Sequence, residues 1–300
     1  MSPGGAGLGS RRAAGSSRGW SVVHGPRGRA CFTGSIRLEL HFHLLPAVDD
    51  GPADLDTSLE LARLAVQDGS GLVVCTPHVH LVDVATIPDR VRDLQAALDA
   101  ELIPLGLRPG GEISPGTDLT DAELRVLAQG PPGREWLLLE APLNGGPVAA
   151  FHDTADELEA RGYGLVIAHP ERCDALMAPG GGLGNRLLRG AQLQVNASSL
   201  TGAHGDGPQQ AGFDLIRRGL ATAIASDAHR PARPPRLTAA LWALHDEGLD
   251  DRALTDTAPE RLLRDGIEPV GSTPEQFQAH IEREKVKWGK VVKDSGAKID

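Results

Sequence analysis

The chain has few aromatic residues, few cysteines and no long run of apolar residues. Phe, Trp and Tyr make up only 3% of its 300 residues, so the core must consist mainly of Leu, Val, Ile and Ala. The same scarcity leaves no aromatic platform for stacking bases, and a net charge of -10 provides no basic surface for phosphate backbones. No apolar stretch is long enough to span a membrane. We therefore expect neither a nucleic-acid partner nor membrane insertion.

The cysteines give no sign of a disulfide framework. Cys31, Cys75 and Cys173 are an odd number without a repeated spacing, which favours a reducing cytoplasm. Cys31 and Arg37 have the spacing of the cysteine-dependent phosphatase loop. That loop needs a strand before it and a helix after it, whereas here a Gly/Arg-rich segment precedes Cys31 and a predicted strand follows. We interpret the match as chance and expect a cytoplasmic protein whose chemistry lies elsewhere.

The two ends of the chain differ in composition from its middle. Residues 1–35 are rich in Gly, Ser and Arg and contain no acidic residue, which predicts a disordered extension. Every lysine lies between Lys285 and Lys298, so the composition changes after about Asp265. Residues 266–300 resemble the C-terminal segment of solute-binding proteins of tripartite tricarboxylate transporters, without their ligand-binding lobes. We predict a folded domain at 36–265, followed by a foreign helical tail from which no transport function is inferred.

Short apolar runs alternate with helical patterns through the predicted domain. The runs 71–76 (GLVVCT) and 164–168 (GLVIA) are typical of buried strands, as are 192–195 and 221–225. Helices are predicted at 57–68, 88–100, 148–161, 209–218, 236–247 and 259–264. Alternating strands and helices indicate an α/β fold with parallel strands, whose carboxyl ends all point to one face.

Histidines and carboxylates follow the ends of the predicted strands. They are His41, His43, Asp50, His78, Glu112, Glu140, His169, Asp227 and His229. A single histidine at a strand end is more often a packed residue than a ligand, but this set would converge on one face of the barrel or sheet. Imidazole and carboxylate donors suit divalent ions such as Zn, Mn or Fe. The sequence therefore predicts a metalloenzyme with more than one ion.

Two other polar residues have no assigned role in this pattern. Asn196, which ends the predicted strand QLQVN, is interpreted equally well as a hydrogen-bonding residue at the barrel mouth or as a packing residue. His204 is interpreted as a loop residue without a part in the chemistry.

The order of the motifs resembles a known family. In chain order the motifs are HFH (41–43), LLPAVDDG (44–51), TPH (76–78), GGEI (110–113), AHPERCDAL (168–176) and ASDAH (225–229). Over residues 36–265 this order resembles the polymerase-and-histidinol-phosphatase (PHP) family, and in particular the manganese-dependent tyrosine-protein phosphatases of bacterial capsule and exopolysaccharide operons. The resemblance implies a distorted (β/α)7 barrel of the TIM-like, PHP type. Glu39 departs from the pattern, because that position is usually Asp.

The resemblance also implies how the ligands are divided among two to three ions, which would be Mn or alternatively Fe, Zn or Co. The first implied set is His41, His43, Glu112 and Asp227. The second is Glu112, bridging, with Glu140 and His169. The third is Asp50, His78 and His229. Arg172 and Arg233 would bind phosphate oxygens, and Asp49 would support its loop.

The function implied by the resemblance is hydrolysis of protein phosphotyrosine. The expected partner is a bacterial tyrosine kinase that controls capsule or exopolysaccharide synthesis. One alternative is a phosphatase for small monoesters such as histidinol phosphate, which would use the same ions. A second is a non-catalytic PHP module that binds metal without turnover, although the intact ligand set disfavours it. A proofreading nuclease is ranked last, because no polymerase domain or basic groove accompanies the barrel.

Overall fold

The computed structural model describes residues 22–24, 30–32, 37–143, 146–249, 254–255 and 258–263. The strands in these residues are β1 (Val22–His24), β2 (Ala30–Phe32), β3 (Arg37–Phe42), β4 (Ser70–Cys75), β5 (Gly106–Pro109), β6 (Glu112–Ile113), β7 (Trp136–Glu140), β8 (Gly164–Ala168), β9 (Gln192–Asn196) and β10 (Ala221–Ala225). The α-helices are α1 (Leu55–Gln67), α2 (Ile87–Ala100), α3 (Asp121–Leu127), α4 (Val148–Ala160), α5 (Asp174–Met177), α6 (Leu183–Leu188), α7 (Ala197–Leu200), α8 (Asp206–Arg217), α9 (Leu237–Asp246) and α10 (Ala258–Leu263).

Two parallel sheets form the wall of a barrel. One has the order β3-β4-β5 and the other β10-β9-β8-β7-β6. Parallel bridges join the sheets at both seams, between Phe42 and Ala228 and between His78 and Glu112. At the first seam His43 N donates to Ala228 O at 2.9 Å. If β5 and β6 are counted as one interrupted strand, the described barrel has seven strand positions, which confirms the distorted (β/α)7 fold.

The interruption between β5 and β6 depends on Gly110 and Gly111. A Cβ on Gly110 would lie 2.6 Å from Val74 Cγ1, and one on Gly111 would lie 2.6 Å from side-chain atoms of Leu127 and Val79. At either position a residue with a Cβ would force these neighbouring side chains to shift. The chain can therefore leave β4 after Pro109 and pair with β7 from Glu112 onward.

The core is aliphatic, as the scarcity of aromatic residues predicted. A smaller cluster packs across the barrel interior, with Leu40 of β3, Val74 of β4 and Leu138 of β7 among its members. A larger cluster lies between the strands and the helices and includes Leu61 of α1 and Phe151 of α4. Leu61 belongs to the apolar face of an amphipathic helix, and that face packs on the sheet. The helices thus cover the barrel on its outside.

The predicted elements are confirmed in the described part of the chain. The predicted helices correspond to α1, α2, α4, α8, α9 and α10 to within three residues at each end. Among the described residues no helix is both long and apolar enough to cross a membrane. Within the segment predicted to be disordered, β1 and β2 form an antiparallel pair. The rest of that segment and the predicted tail at 266–300 lie outside the described residues.

Candidate metal centre

The predicted ligands gather at the carboxyl ends of the barrel strands. His41 lies in β3, Glu112 in β6 and Glu140 in β7, whereas the others lie in the loops that follow strands. Each predicted ligand belongs to at least one group of donors whose ligand atoms lie within 4.8 Å of one another. The groups are His41/His43/Asp227, His41/Glu112/His169, His43/Asp50/His78/His229 and His78/Glu112/Glu140. The structure therefore brings the whole predicted set to one face.

Four donors form a compact central quartet, defined by His41 Nε2, His43 Nε2, Glu112 Oε2 and Asp227 Oδ1. His41 Nε2 lies 3.2 Å from both His43 Nε2 and Glu112 Oε2. Asp227 Oδ1 lies 3.4 Å from His41 Nε2 and 3.6 Å from His43 Nε2. Donors bound to one ion at about 2.1 Å are separated by roughly 3.0 Å in octahedral and 3.4 Å in tetrahedral geometry. Each of these separations is in the range expected for two donors on one divalent ion, and His41, His43 and Asp227 together form one donor group.

Glu112 connects the quartet to its neighbours. Its Oε1 lies 3.1 Å from His169 Nε2, and its Oε2 lies 3.1 Å from His78 Nδ1. Although His78 Nδ1 is buried and so close to a carboxylate, it makes no hydrogen bond. Buried polar atoms rarely lack a partner, so this donor fits a ligand atom aimed at a cation. Glu112 could thus bridge two ions.

Glu112 and Asp227 are held in the ionised form. Burial alone would raise the pKa of Glu112, but His41 and hydrogen bonds from neighbouring histidines lower it well below its usual range. Burial opposes ionisation of Asp227 as well, and again His41, His169 and other histidines lower its pKa. Ionised oxygens are the form that a cation requires.

The pKa values of the two quartet histidines, His41 and His43, are raised. Burial lowers the pKa of His41, but Glu112 and Asp227 raise it above its usual value. Burial also acts against the charged form of His43, yet hydrogen bonds with Asp49 and Glu112 raise its pKa to about 10. A bound cation would compete with the protons that these shifts favour on the two rings.

Peripheral donors are grouped differently from the implied sets. His229 Nε2 lies 3.2 Å from Asp50 Oδ1, and His78 Nε2 lies 3.6 Å from the same oxygen. His43 joins this group, in addition to the three residues that the resemblance implied. Glu140 lies with His78 and Glu112, whereas His169 lies with His41 and Glu112. The resemblance had placed Glu140 and His169 on one ion.

Hydrogen bonds from outside the donor groups orient the ligand rings. Asp49 Oδ2 lies 2.7 Å from His43 Nδ1 and also accepts from His78 N, so Asp49 supports its loop and one ligand ring. His229 Nδ1 lies 2.9 Å from the backbone oxygen of Asp227 and is suited to donate to it. In each case the hydrogen bond engages Nδ1 and leaves Nε2 directed at the donor groups.

Two predicted ligands occupy unfavourable backbone conformations at the strand ends. His169 has φ 39° and Asp227 has φ 50°, both in the left-handed region that non-glycine residues seldom adopt. Such conformations cost of order 1–3 kcal/mol each and persist where surrounding structure enforces them. Here the turns point both side chains back over the barrel mouth.

Both predicted arginines lie beside the quartet. Arg172 Nη1 is 3.4 Å and Arg233 Nη2 is 3.3 Å from Asp227 Oδ2. Their side chains are 21% and 40% exposed, so each can reach a ligand at the mouth. A guanidinium offers paired donors that match phosphate oxygens. The arrangement can therefore bind a phosphate group next to the donor groups.

Sequence reasoning missed or left open three residues near the centre. Gln194 was not identified, yet its side chain lies 2.9 Å from His41 Nδ1. Asn196 donates to Asp227 Oδ2 at 2.8 Å. Burial, Arg172 and Arg233 lower the pKa of His204 to about 4, although His204 was interpreted as an uninvolved loop residue. Polar residues at alternate positions of a buried strand were the available signal for Gln194 and Asn196.

Glu39 is the longer acid that departs from the family pattern. It is fully buried, and its Oε2 accepts a hydrogen bond from Ser226 N at 2.8 Å. Ser226 directly precedes Asp227, so Glu39 supports the turn that carries a predicted ligand. Burial raises the pKa of Glu39 to about 8, despite the hydrogen bonds from Ser226 that oppose this.

A (β/α) barrel with clustered histidines and carboxylates at its mouth defines a metal-dependent hydrolase of the PHP type. The chain belongs to the CpsB/CapC family of capsular polysaccharide synthesis, because a sequence model of that family matches residues 37–264. The expected family resemblance is therefore confirmed.

Named relatives agree with this assignment. The chain is 33% identical over 203 residues to tyrosine-protein phosphatase YwqE of Bacillus subtilis (strain 168), covering 64% of this chain and 77% of that protein. It is 30% identical over 203 residues to putative tyrosine-protein phosphatase CapC of Staphylococcus aureus, covering 66% and 79%. A crystal structure from work on YwqE and on CpsB of Streptococcus pneumoniae, described as metal-dependent tyrosine phosphatases, matches with a TM-score of 0.67. That match has 31% identity and covers 76% of this chain and 94% of the other.

Proposed function

We propose that this protein is a metal-dependent phosphoesterase that removes phosphate from protein phosphotyrosine. Its expected substrate is a bacterial tyrosine kinase that controls capsule or exopolysaccharide synthesis, in the cytoplasm. The observation that carries the proposal is the central quartet, with donor spacings of 3.2 to 3.6 Å and two arginines beside Asp227. Relatives named as tyrosine-protein phosphatases support the choice of substrate.

The donor chemistry supports two to three divalent ions. The family resemblance favours Mn as the bound ion. Imidazole and carboxylate ligands also accept Fe, Zn or Co. His41, His43, Glu112 and Asp227 would hold one ion, and the other predicted ligands would hold the rest. When bound, such ions act as Lewis acids toward phosphate oxygens and lower the pKa of water.

The protein's own groups position the phosphoester. Arg172 and Arg233 approach Asp227 from the side of the barrel mouth and would each direct guanidinium hydrogens at nonbridging phosphate oxygens. Negative charge on these oxygens would be balanced in a partly buried site, where such contacts are stronger than in water. Water then attacks phosphorus opposite the tyrosyl oxygen, which leaves with the electron pair of the broken P–O bond and takes up a proton.

The decisive test is phosphate release from a phosphotyrosine peptide by the purified protein. The assay should be run as purified, after chelation, and after Mn is added back, with histidinol phosphate as a parallel substrate. We expect activity on the peptide that chelation removes and Mn restores. Preference for histidinol phosphate would instead support a small-molecule phosphatase. Full metal occupancy without turnover of either compound would support a non-catalytic metal-binding module.

A further inference from the structure

A chain of buried hydrogen bonds crosses β9 and joins two members of the central quartet. Gln194 Oε1 lies 2.9 Å from His41 Nδ1. Gln194 Nε2 donates to Asn196 Oδ1 at 2.9 Å, and Asn196 Nδ2 donates to Asp227 Oδ2 at 2.8 Å. His41, Gln194 and Asn196 are fully buried, and Asp227 is 4% exposed. We call these three hydrogen bonds the amide relay.

Each hydrogen bond in the amide relay has only one workable direction. The carboxylate of Asp227 can only accept, so the NH2 group of Asn196 must face it. The oxygen of Asn196 then faces Gln194 and receives the NH2 group of Gln194. This leaves the oxygen of Gln194 opposite His41, whose Nδ1 must carry a hydrogen.

The direction of the amide relay has a consequence for His41. Because Nδ1 keeps its hydrogen in every protonation state, the nitrogen that becomes a free electron-pair donor is Nε2. His41 Nε2 is the atom that lies 3.2 Å from Glu112 Oε2 and 3.4 Å from Asp227 Oδ1. The ring is therefore held with its metal-binding nitrogen toward the quartet.

The two carboxylate oxygens of Asp227 have different partners. Oδ2 accepts from Asn196 and faces both arginines, whereas Oδ1 faces the histidine nitrogens of the quartet. The end of β9 is itself fixed, because Asn196 N donates to the buried carboxylate of Glu171 at 3.0 Å. Asn196 thus holds the carboxylate in one rotation from a rigid support.

We infer that Gln194 and Asn196 are positioning residues that hold His41 and Asp227 in their metal-binding arrangement before an ion arrives. This inference rests on the proposed metal-dependent function. Hydrogen-bond partners of metal ligands contribute about 10- to 100-fold to metal affinity. Because the relay spans ligands from β3 and the turn after β10, one break should disturb both ends.

The chain offers a matched control in the same strand. Gln192 lies two residues before Gln194, and its side chain accepts from Thr222 Oγ1 at 2.6 Å, at the opposite end of β9 from Asn196. Gln192→Met therefore makes the same chemical change as Gln194→Met, in the same strand, without touching the quartet. Asn196→Leu breaks the relay at its second amide.

The experiment measures the dissociation constant for Mn by electron paramagnetic resonance of the free ion. Thermal unfolding of each metal-free protein shows whether it is folded. We expect Gln194→Met and Asn196→Leu to bind Mn about 10- to 100-fold more weakly than wild type, with Gln192→Met unchanged. The Mn affinity of the double variant of Gln194 and Asn196 should be close to that of the single variant that binds Mn more weakly. The reason is that both changes break the same relay.

Three results would overturn the inference. The first is wild-type affinity in Gln194→Met, and the second is an equal loss of affinity in Gln192→Met. The third is a double variant whose loss equals the product of the two single losses, which would indicate two independent packing defects. If one metal-free single variant fails to fold, the Mn affinity of the other single variant is compared with that of Gln192→Met, and this comparison decides the question. A wild-type protein that binds none of Mn, Fe, Zn or Co would contradict the proposed function itself.

Discussion

Glu112→Gln tests the bridging carboxylate directly. Glu112 is 1% exposed, and its two oxygens lie 3.1 to 3.3 Å from ring nitrogens of four histidines. Glutamine keeps the size but removes the charge, and it turns an NH2 group toward some of these nitrogens. Removing one partner of a buried charge pair costs about 3–5 kcal/mol. At about 1.4 kcal/mol per tenfold change, Mn affinity should fall by roughly two to four orders of magnitude.

Glu39→Gln is the matched control for this change. Glu39 is also fully buried, but burial raises its pKa to about 8, so its carboxyl group is mostly protonated at pH 7. Glutamine is then a close mimic, and Mn affinity and peptide turnover should stay near wild type. Both variants should be titrated with Mn at pH 7 and assayed for phosphate release. Wild-type Mn affinity in Glu112→Gln would refute the bridging assignment.

Three further predictions concern the arginines, the quartet and His204. Arg172→Ala should lower peptide turnover sharply while Mn content, measured by metal analysis, stays near wild type; equal loss of both would contradict a phosphate-binding role. Because the pKa values of His41 and His43 are raised, Mn binding should release protons and tighten as pH rises, which calorimetry in two buffers of different ionisation enthalpy would detect. The pKa of His204 is lowered to about 4, so its stabilising contribution is present above pH 6.5 and is lost as pH falls toward 4. As pH is lowered from 6.5 to 4, the free energy of unfolding of the metal-free wild type should therefore fall relative to that of His204→Asn. Parallel pH profiles of the two proteins would contradict the lowered pKa of His204.

The barrel, and the convergence of the candidate ligands at one face, could be predicted because both leave strong local signals. Strand-like runs followed by helical patterns fix where strand ends fall, and His or acidic residues at those ends are conspicuous. The division of the ligands among ions stays a prediction; in the structure Glu140 lies with His78 and Glu112, whereas His169 lies with His41 and Glu112. The left-handed turns at His169 and Asp227 leave no periodic pattern in the sequence.

Other features were missed because they depend on pairing across the fold. Gln194 looks like an ordinary polar strand residue until β9 is placed near the end of β3, when its amide meets His41. The pKa of His204 is lowered first by burial and then by Arg172 and Arg233, which come from two different segments of the chain. The close approach of Val74, on a neighbouring strand, to Gly110 is likewise not encoded by any local pattern.

The seams of the barrel lie beside the predicted metal ligands. Asp227 N donates to His41 O at 3.1 Å across one seam, and Glu112 N donates to Pro77 O at 3.0 Å across the other. An ion held by these residues would stabilise both seams, because opening either seam would separate residues that bind the ion. Metal binding would therefore stabilise the closed barrel. This stabilisation grows with the ratio of the free ion concentration to the dissociation constant of the ion. On chelation, amide hydrogen exchange at Asp227 and Glu112 should accelerate before exchange in the interior of either sheet.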